Sequence, residues 1–561
     1  MSLRAAPLGV IPEETVRVAR RAFRKGSLAM WLRDELAALY TDTDFAALYP
    51  QRGQPAVAPW RLALVTVLQF AEGLTDRQAA EQVCGRIDWK YALGLPLGDP
   101  GFDFSVLCEF RERLLAGGVE ERLLDRLLSH CAERDWLGAS GRQRTDATQR
   151  PPCGRRRASI QGLNRLHLVG ETLRQALDHV AEATPTWLLA HVPAAWRERY
   201  ERPLTTWRLS RKAGEREQLA EQVGADGIVF YGLVTGPEAP PWLATLATVE
   251  TLRLVWLQQY YAPDETGRVS WRTPTDLPPA AQLIRSPYDL EARFSTKRTT
   301  SWVGYKTHLT ETCDPDRPRL ITHVVTTPST TADSAVTISV QTALVHKGLA
   351  PKEHIVDGGY TDAAHLVTSQ QHGITLVGPV PQDSSWQARR ADGFDLPHFA
   401  IAWDEQTVTC PNGRTSTTWC PTHNDYGDAV IKVAFAKHDC LDCADRARCT
   451  GAAANPRTLT IRPQAQHVAL QAARQREQTP AFQQTYAARA GVEGTIAHAT
   501  HTYDLRHLRY RGQAKAHLQG VVTAAAINVC RLWERTSHPN PTPRPPSPFA
   551  ALMASAAPTP L

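Results

Sequence analysis

A short apolar run that ends in an aspartate and two glycines places the strongest constraint on how this chain folds. The run His354-Ile355-Val356 precedes Asp357, and Gly358-Gly359 closes it. Such a run beside a turn signal is typical of a buried strand. Open α/β sheets place ligand-binding groups at the carboxyl ends of parallel strands, which makes Asp357 a candidate site residue. An aspartate that only caps the next turn is the alternative interpretation.

A second pattern lies on a predicted helix nearer the carboxyl terminus. Pro480 supplies a first helical position behind Thr479, a candidate cap. On this helix Tyr486, Arg489 and Glu493 fall at i, i+3 and i+7, so we expect them on one face. A solvated surface pair of arginine and glutamate is the ordinary interpretation. Two aspartates further upstream favour a functional interpretation of these three residues.

The first of these aspartates is Asp146, in the stretch GRQRTDATQ, and the second is Asp357. Together with Glu493 and the Tyr486-x2-Arg489-x3-Glu493 spacing, they resemble the Asp-Asp-Glu (DDE) catalytic set of bacterial insertion-sequence transposases with a ribonuclease H-like core. No single piece of this pattern is specific, but the combination is.

The resemblance extends from about residue 39 to residue 533 and includes VGYKTHLTET and the segment 505–526. The amino-terminal part of the chain resembles the InsH-type transposase domain of insertion-sequence group eleven-eighty-two. The resemblance as a whole has the following consequences. It implies a transposase that binds the terminal inverted repeats of its element. Metal-dependent cleavage at the element end would leave a 3′-hydroxyl, and strand transfer into target DNA would follow.

The predicted elements fit the α/β fold that the resemblance implies, a ribonuclease H-like mixed sheet. Alternation and apolar runs predict strands and helices in the order strand, strand, strand, helix, strand, helix, strand. Their places are a strand at Asp146, strands over 302–310 and 319–327, a helix over 334–346, a strand ending at Asp357, a helix over 362–372 and a strand over 373–380.

The resemblance assigns roles to the carboxylates. Asp146 would bridge two Mg²⁺ or Mn²⁺ ions, Asp357 would hold one of them and Glu493 the other. Hard divalent cations prefer oxygen ligands, and two such ions can stabilise both the attacking and the leaving oxygen of a phosphoryl transfer. Tyr486 and Arg489 resemble helper residues that hold a terminal phosphate.

The family's lysine seven positions after the glutamate is absent, because Thr500 stands there. Arginines downstream are candidates to replace it in contacting double-stranded DNA. Cationic residues near the predicted hairpin are candidates for phosphate contacts, and ordinary solvated sheet residues are the alternative. The candidate DNA-binding residues are Lys297, Arg298, Lys306, His308, Arg506, Arg509, Arg511 and Lys515.

Residues 27–138 are predicted to form a helical DNA-binding domain. Pro59 opens an apolar helix, Thr75 and Gln78 form a capping-box pattern, and Ser105 is a third helix start. Short capped helices fit a helix-turn-helix reader of the terminal repeats, and a generic helical bundle is the alternative.

Residues 139–535 are predicted to form the catalytic domain, interrupted by two insertions. The segment 149–159 departs from the family pattern, because prolines and arginines break the strand after Asp146. A basic DNA-facing loop and a decayed stretch of an inactive copy are both open. The first insertion, at about 164–285, is predicted to be helical, and residues 536–561 form a tail predicted to be disordered.

The second insertion, at about 381–479, carries a cysteine pattern. Cys410, Cys440, Cys443 and Cys449 could present four thiolates to one structural Zn²⁺, with Cys420 and His423 as alternative fourth ligands. Free buried thiols are the other interpretation.

Composition sets the broad class. The 561 residues are 42% hydrophobic and 21% charged, which indicates several globular cores. A net charge of +6 is compatible with nucleic acid without requiring it. No run of 18 apolar residues and no signal-peptide core occurs, so we expect a cytoplasmic protein with no membrane partner. The resemblance adds association with the bacterial nucleoid and a homodimer in a synaptic complex.

Two other functions compete with an active transposase. A ribonuclease H-like nuclease or resolvase would share the carboxylates without strand transfer. A transposase copy that has lost catalysis would only bind DNA, and the unusual segment 149–159 favours it.

Overall fold

The computed structural model describes residues 2–5, 8–36, 39–150, 164–203, 212–297, 299–537, 547–549 and 552. Arg298 lies outside the described residues, as do nearly all of the segment 149–159 and most of the tail predicted to be disordered. The chain divides into two compact units. Unit 1 consists of Met1–Gly117, Pro315–Leu320 and Ala524–Leu561, and unit 2 of Gly118–Asp314 and Ile321–Thr523.

The amino-terminal part of unit 1 is helical. Its helices are α1 (Glu13–Ala22), α2 (Leu28–Glu35), α3 (Pro59–Ala71), α4 (Asp76–Gly85), α5 (Ile87–Leu93) and α6 (Ser105–Ala116). Pro59 begins α3, and the Thr75 capping box begins α4, as predicted. Ser105 is the first residue of α6 and not its cap, which is Phe104. The helix-turn-helix assignment stays a prediction.

A largely buried ion pair ties three of these helices together. Arg111 on α6 donates two hydrogen bonds to the Asp76 carboxylate, at 2.6 and 3.0 Å. Gln69 of α3 donates a third, at 2.7 Å. Burial opposes the charge on Asp76, but these donors outweigh it and lower the carboxyl pKa. The first residue of α4 is thereby fixed against both neighbouring helices.

Unit 2 contains a mixed six-stranded sheet. Its strands are β1 (Arg142–Arg150), β2 (Arg293–Lys297), β3 (Thr300–Thr312), β4 (Ile321–Pro328), β5 (Glu353–Val356) and β6 (Thr375–Val377). The order is β2-β3-β1-β5-β6, with β4 also paired to β3. β3 runs antiparallel to β1, β2 and β4, whereas β1, β5 and β6 are parallel. The predicted α/β class is confirmed.

The remaining helices of the chain lie before, between and after these strands. They are α7 (Arg122–Glu133), α8 (Arg165–Ala183), α9 (Pro185–His191), α10 (Ala195–Tyr200), α11 (Ala213–Thr235), α12 (Ala247–Gln259), α13 (Thr337–His346), α14 (Ala363–Gln371), α15 (Trp386–Arg389), α16 (Lys437–Leu441), α17 (Arg446–Cys449), α18 (Gln464–Glu477), α19 (Pro480–Ala487), α20 (Ala490–His501) and α21 (Gln513–Ser537). Among the described residues, none of the helices has the length and apolarity needed to span a membrane.

The stretch between β1 and β2 is helical, from α8 to α12, and has an apolar core of its own. Trp256 on α12 and Tyr260, which follows the helix, are buried in it, and each donates a hydrogen bond to a backbone carbonyl of α11, at 2.9 and 2.8 Å. A side chain at Gly224 would overlap the Tyr260 ring, so α11 approaches α12 closely there.

The stretch after β6 holds two small antiparallel sheets. They consist of β7 (Ala400–Ala402), β8 (Thr407–Thr409), β9 (Thr418–His423), β10 (Ala429–Ala434) and β11 (Thr458–Ile461). β7 pairs with β8, and the second sheet has the order β11-β10-β9. A compact apolar cluster, including Val408, Val433 and Ile461, lies between them.

Three histidines buried in the main sheet should make the folded protein less stable in acid. Burial lowers the pKa of His308, His323 and His354 to about 4 each. The unfolded chain therefore takes up protons below about pH 6.5 that the folded chain does not bind until about pH 4. Stability is complete above this window and falls as pH decreases through it, by up to about 1.4 kcal/mol per pH unit for each histidine.

We expect His323→Gln to reduce this dependence, measured as the difference in thermal unfolding between about pH 7.5 and about pH 5. The control is His438→Gln, because that side chain is 81% exposed. An equal pH dependence in wild type and His323→Gln would contradict the assignment.

Candidate active site

Two aspartates meet where β5 ends beside the middle of the longer, parallel strand β1. Thr145 is the register partner of Val356, so the next residues, Asp146 and Asp357, lie side by side. Asp357 is exposed and accepts a hydrogen bond from the Gly358 amide at 2.7 Å. Burial raises the pKa of Asp146, and the neighbouring Asp357 charge raises it further. Parallel pairing thus concentrates negative charge at this edge.

Arg489 connects these aspartates to the glutamate. Its guanidinium lies 3.3 Å from Asp146 Oδ2 and also forms an ion pair with Glu493. The guanidinium carbon lies 5.9 Å from the centre of the Tyr486 ring. Burial lowers the pKa of Arg489, but Tyr486 and the carboxylates outweigh it and leave the pKa raised. The other four residues predicted as catalytic therefore lie around the guanidinium of the fifth, Arg489.

The helix that carries three of them is not continuous, contrary to the sequence prediction. α19 ends at Ala487 and α20 begins at Ala490, with Thr479 capping α19 as predicted. Ala488 and Arg489 keep right-handed helical dihedral angles, so the side chains stay together. The Ala488 carbonyl accepts from the Gly491 amide at 3.3 Å and from the Arg144 guanidinium. The Val492 amide donates to the Arg489 carbonyl at 3.0 Å, so the hydrogen bonds at this point link residues three positions apart.

α19 is held on the sheet by an apolar contact. Phe482 packs with Ile355 of β5 and Val377 of β6. The Tyr486 ring stacks on Phe482, with ring centres 5.5 Å apart and planes 10° apart. This stacking fixes the Tyr486 ring beside the carboxylates. Burial raises the pKa of its hydroxyl.

A buried ion pair beneath the site was missed at the sequence level. Arg144 and Glu311 are register partners on β1 and β3, and both are at most 5% exposed. Arg144 donates two hydrogen bonds to Glu311 Oε1, at 2.8 and 2.6 Å. Thr495 of α20 donates to Glu311 Oε2 at 2.7 Å. The network ties the backbone around Arg489 and Glu493 to the strand that carries Asp146.

Gly491 shows how closely α20 approaches this pair. A Cβ at that position would overlap the Arg144 guanidinium. The only sequence signal for the network is spacing, since Arg144 and Asp146 lie on the same face of β1 by the two-residue period of a strand.

The donor set of the site suits a hard divalent cation. Carboxylates are the ligands that Mg²⁺ and Mn²⁺ prefer. The Asp357 charge disfavours ionisation of the adjacent Asp146, so a positive charge beside them is favourable, and Arg489 supplies one here. Within the described part of the chain, no group of three or more histidine, cysteine, aspartate or glutamate side chains is arranged to hold one ion.

Two of the predicted DNA contacts, Lys297 and Arg506, lie near the strand that carries Asp146. Lys297 is exposed on β2, and its charge lowers the pKa of Asp146. Arg506 is exposed, with Nε 3.3 Å from Thr148 Oγ1 on β1. Arg511 is exposed and lies over the Tyr288 ring at 4.8 Å. Lys515 is exposed on α21, and Arg509 is half-buried, with its amide donating to Gln519.

His308 and Lys306 are placed differently from the prediction. His308 is 1% exposed and hydrogen-bonds Tyr360 and Thr327, at 2.7 and 3.3 Å, so its ring has no access to a phosphate. Lys306 is ion-paired with Asp333 at 2.9 Å. Both residues face a side of β3 that the turns around Asp333 and Tyr360 cover, which alternation along the strand does not reveal.

The four predicted zinc ligands lie in one region as free thiols. Burial raises the pKa of Cys449 to about 11, and the charges of the other three add to the effect. The Cys410 and Cys440 sulfurs accept backbone amides, at 3.3 and 3.5 Å. The described residues hold no metal-binding group of the kind predicted, so the structure does not support zinc. It stays a prediction that elemental analysis tests.

Two family models match parts of the chain. Residues 28–113 match a transposase domain (DUF772), and residues 409–533 match a transposase DDE domain. Both matches indicate a transposase. The second supports a DDE transposase, and it includes Tyr486, Arg489 and Glu493 but neither Asp146 nor Asp357. Parallel strand pairing brings those two aspartates together, and the ion pair of Asp146 with Arg489 connects them to the matched segment.

No curated protein and no solved structure matches the chain.

Proposed function

We propose that this protein cleaves the ends of its own insertion sequence and joins them to target DNA, with Asp146, Asp357 and Glu493 as the catalytic carboxylates. The observation that carries the proposal is Arg489, whose guanidinium pairs with both Asp146 and Glu493 beside Asp357. Residues more than 340 positions apart in sequence thus form one charged cluster at a strand edge.

The sheet supports a ribonuclease H-like core. Taken from one side, its strands run β4-β3-β1-β5-β6, the first pairs antiparallel and the last pairs parallel. β1 therefore lies at the centre of this order and carries Asp146. The helical stretch after β1 and the cysteine-containing stretch after β6 are proposed as insertions into this core.

The chain's own residues would position the metal ions and the phosphate of the element end. Asp146, Asp357 and Glu493 would hold two Mg²⁺ or Mn²⁺ ions, which when bound neutralise charge developing on the phosphate and favour the attacking oxygen. Arg489 and Tyr486 would move onto a phosphate oxygen of the element end. Water would add to phosphorus as the P–O3′ bond breaks, leaving a 3′-hydroxyl that then displaces a 3′-oxygen in target DNA.

DNA recognition is proposed to be divided along the chain. The helical domain at 27–138 would read the terminal inverted repeats. Lys297, Arg506, Arg511 and Lys515 would contact phosphates, which positions DNA without reading its sequence. Two protomers would hold two ends in a synaptic complex, on the bacterial nucleoid.

The test is incubation of the purified full-length protein with labelled element ends and Mg²⁺. We expect a nick that exposes a 3′-hydroxyl at the element end, joining to a target plasmid, and neither product with a chelator. Binding without cleavage would identify an inactive copy. Cleavage without joining would identify a nuclease, and either result overturns the proposal.

A further inference from the structure

We propose that a pocket formed by β11, α18 and the chain after β6 binds a phosphate of the DNA backbone, away from the carboxylates. This inference rests on the proposed function and extends its DNA-binding surface. The pocket has a volume of about 380 Å³ and is lined by Arg457, Arg462, His467, Arg474, Ser384 and Ser385, among others. Its size suits part of a nucleotide.

Arg457 is the residue that points to an anionic ligand. It is half-buried, and its Nε is buried without a hydrogen-bond partner. Burial lowers its pKa, and the charges of Cys449, Asp383 and Asp395 only partly compensate. Its guanidinium carbon lies 5.8 Å from the centre of the Phe399 ring, a contact that supplies no hydrogen-bond acceptor to Nε. A half-buried guanidinium with an unused donor is unfavourable, and an anion in the pocket would stabilise its charge.

Further cationic groups face the same pocket. Arg474 is fixed by two hydrogen bonds to the Pro381 carbonyl, at 3.1 and 2.7 Å. Arg462 is only loosely paired, 3.9 Å from Asp362. Asp383 also lines the pocket and accepts the Ser385 amide at 2.9 Å. Three arginines against one aspartate leave the lining positive, which favours an anion.

The position of the pocket favours DNA over a free small molecule. Pro381 follows β6, the neighbour of the strand that ends at Asp357. Thr361 donates to the Pro379 carbonyl at 2.5 Å, which ties the chain leading to the pocket to the turn after Asp357. Arg462 reaches back towards Asp362 on that same turn. DNA cleaved at Asp357 would therefore pass near the pocket, and its backbone supplies the anion regardless of sequence.

The test uses the full-length variants Arg457→Gln and Arg462→Gln and the double variant. The control is Arg414→Gln, because Arg414 is exposed and the substitution removes the same charge elsewhere in the cysteine-containing stretch. Dissociation constants are measured for end DNA and random DNA at several salt concentrations. We expect the double variant to bind both DNAs about tenfold more weakly, with a salt slope smaller by about one. Arg414→Gln should remain within about twofold of wild type, and Arg457→Lys, which keeps the charge but not the planar guanidinium, should bind DNA more tightly than Arg457→Gln.

Two results would overturn this inference. One is unchanged DNA affinity in the folded double variant, with folding checked by thermal unfolding. The other is a pocket that takes up inorganic phosphate or a mononucleotide while DNA affinity does not depend on Arg457 or Arg462. If Arg457→Gln does not fold, the DNA affinity of Arg462→Gln alone decides the question, because Arg462 is only partly buried. Failure of the proposed function is distinguishable, because it appears in cleavage and joining by the wild type while this test measures binding.

Discussion

Asp357→Asn is expected to lower the rate of end cleavage by about 10³-fold, or about 4 kcal/mol, the general size of a lost electrostatic contribution to catalysis. Asp357 is exposed, and the one described hydrogen bond of its carboxylate is accepted from the Gly358 amide. Asparagine keeps that acceptor and loses only the charge. The fold and the affinity for end DNA should therefore stay within about twofold of wild type. Cleavage is measured on labelled ends and binding by titration without divalent metal.

Asp404→Asn is the matched control, because Asp404 is an exposed aspartate outside the carboxylate cluster. It should change neither cleavage nor binding. Retained cleavage in Asp357→Asn would remove this residue from the site. Loss of end binding together with cleavage would instead show that the Asp357 charge contributes to holding DNA.

The elements around the aspartates were predictable because their signals are local. The run before Asp357 is short, apolar and closed by glycines, and it forms β5 as expected. Thr479 and Pro480 mark the start of α19 for the same reason. The strands over 302–310 and 319–327 alternate and pair antiparallel as β3 and β4. Caps and periodicity depend on neighbours within a few residues, which a sequence displays directly.

The parts that were missed depend on long-range packing. Arg144 pairs with Glu311, 167 positions away, and no local period announces that contact. The break after Ala487 follows from the same arginine, which hydrogen-bonds the Ala488 carbonyl. His308 alternates like a solvent-facing residue, but the turn carrying Tyr360 covers it. A strand pattern tells which residues share a face and not what lies over that face.

The buried Arg144–Glu311 pair should be the most sensitive point of the fold beneath the site. Removing one member leaves an uncompensated buried charge, so Arg144→Met should destabilise unit 2 by about 3–5 kcal/mol. Glu311→Leu should do the same. Replacing both with apolar residues of similar volume should restore most of the stability, because neither charge then remains buried alone. Thermal and denaturant unfolding of the three variants measure this coupling.

Cleavage should not recover with stability in the Arg144→Met/Glu311→Leu double variant. The Ala488 carbonyl loses its guanidinium donor and Thr495 loses its acceptor, so Arg489 and Glu493 are no longer tied to the strand of Asp146. We expect the turnover rate to stay at least about tenfold low and the Mg²⁺ concentration for half-maximal cleavage to rise, while end binding is unchanged.

Lys347→Met provides the matched comparison for this double variant. Lys347 forms ion pairs with Glu121 and Asp125 in the same unit, at 2.8 and 2.7 Å, and touches none of the carboxylates of the site. It should lower stability without moving the Mg²⁺ requirement. A double variant that regains both stability and full turnover would show that Arg144 and Glu311 serve folding alone. In that case the apolar contact of Phe482 with Ile355 and Val377 would be what places α19 and α20.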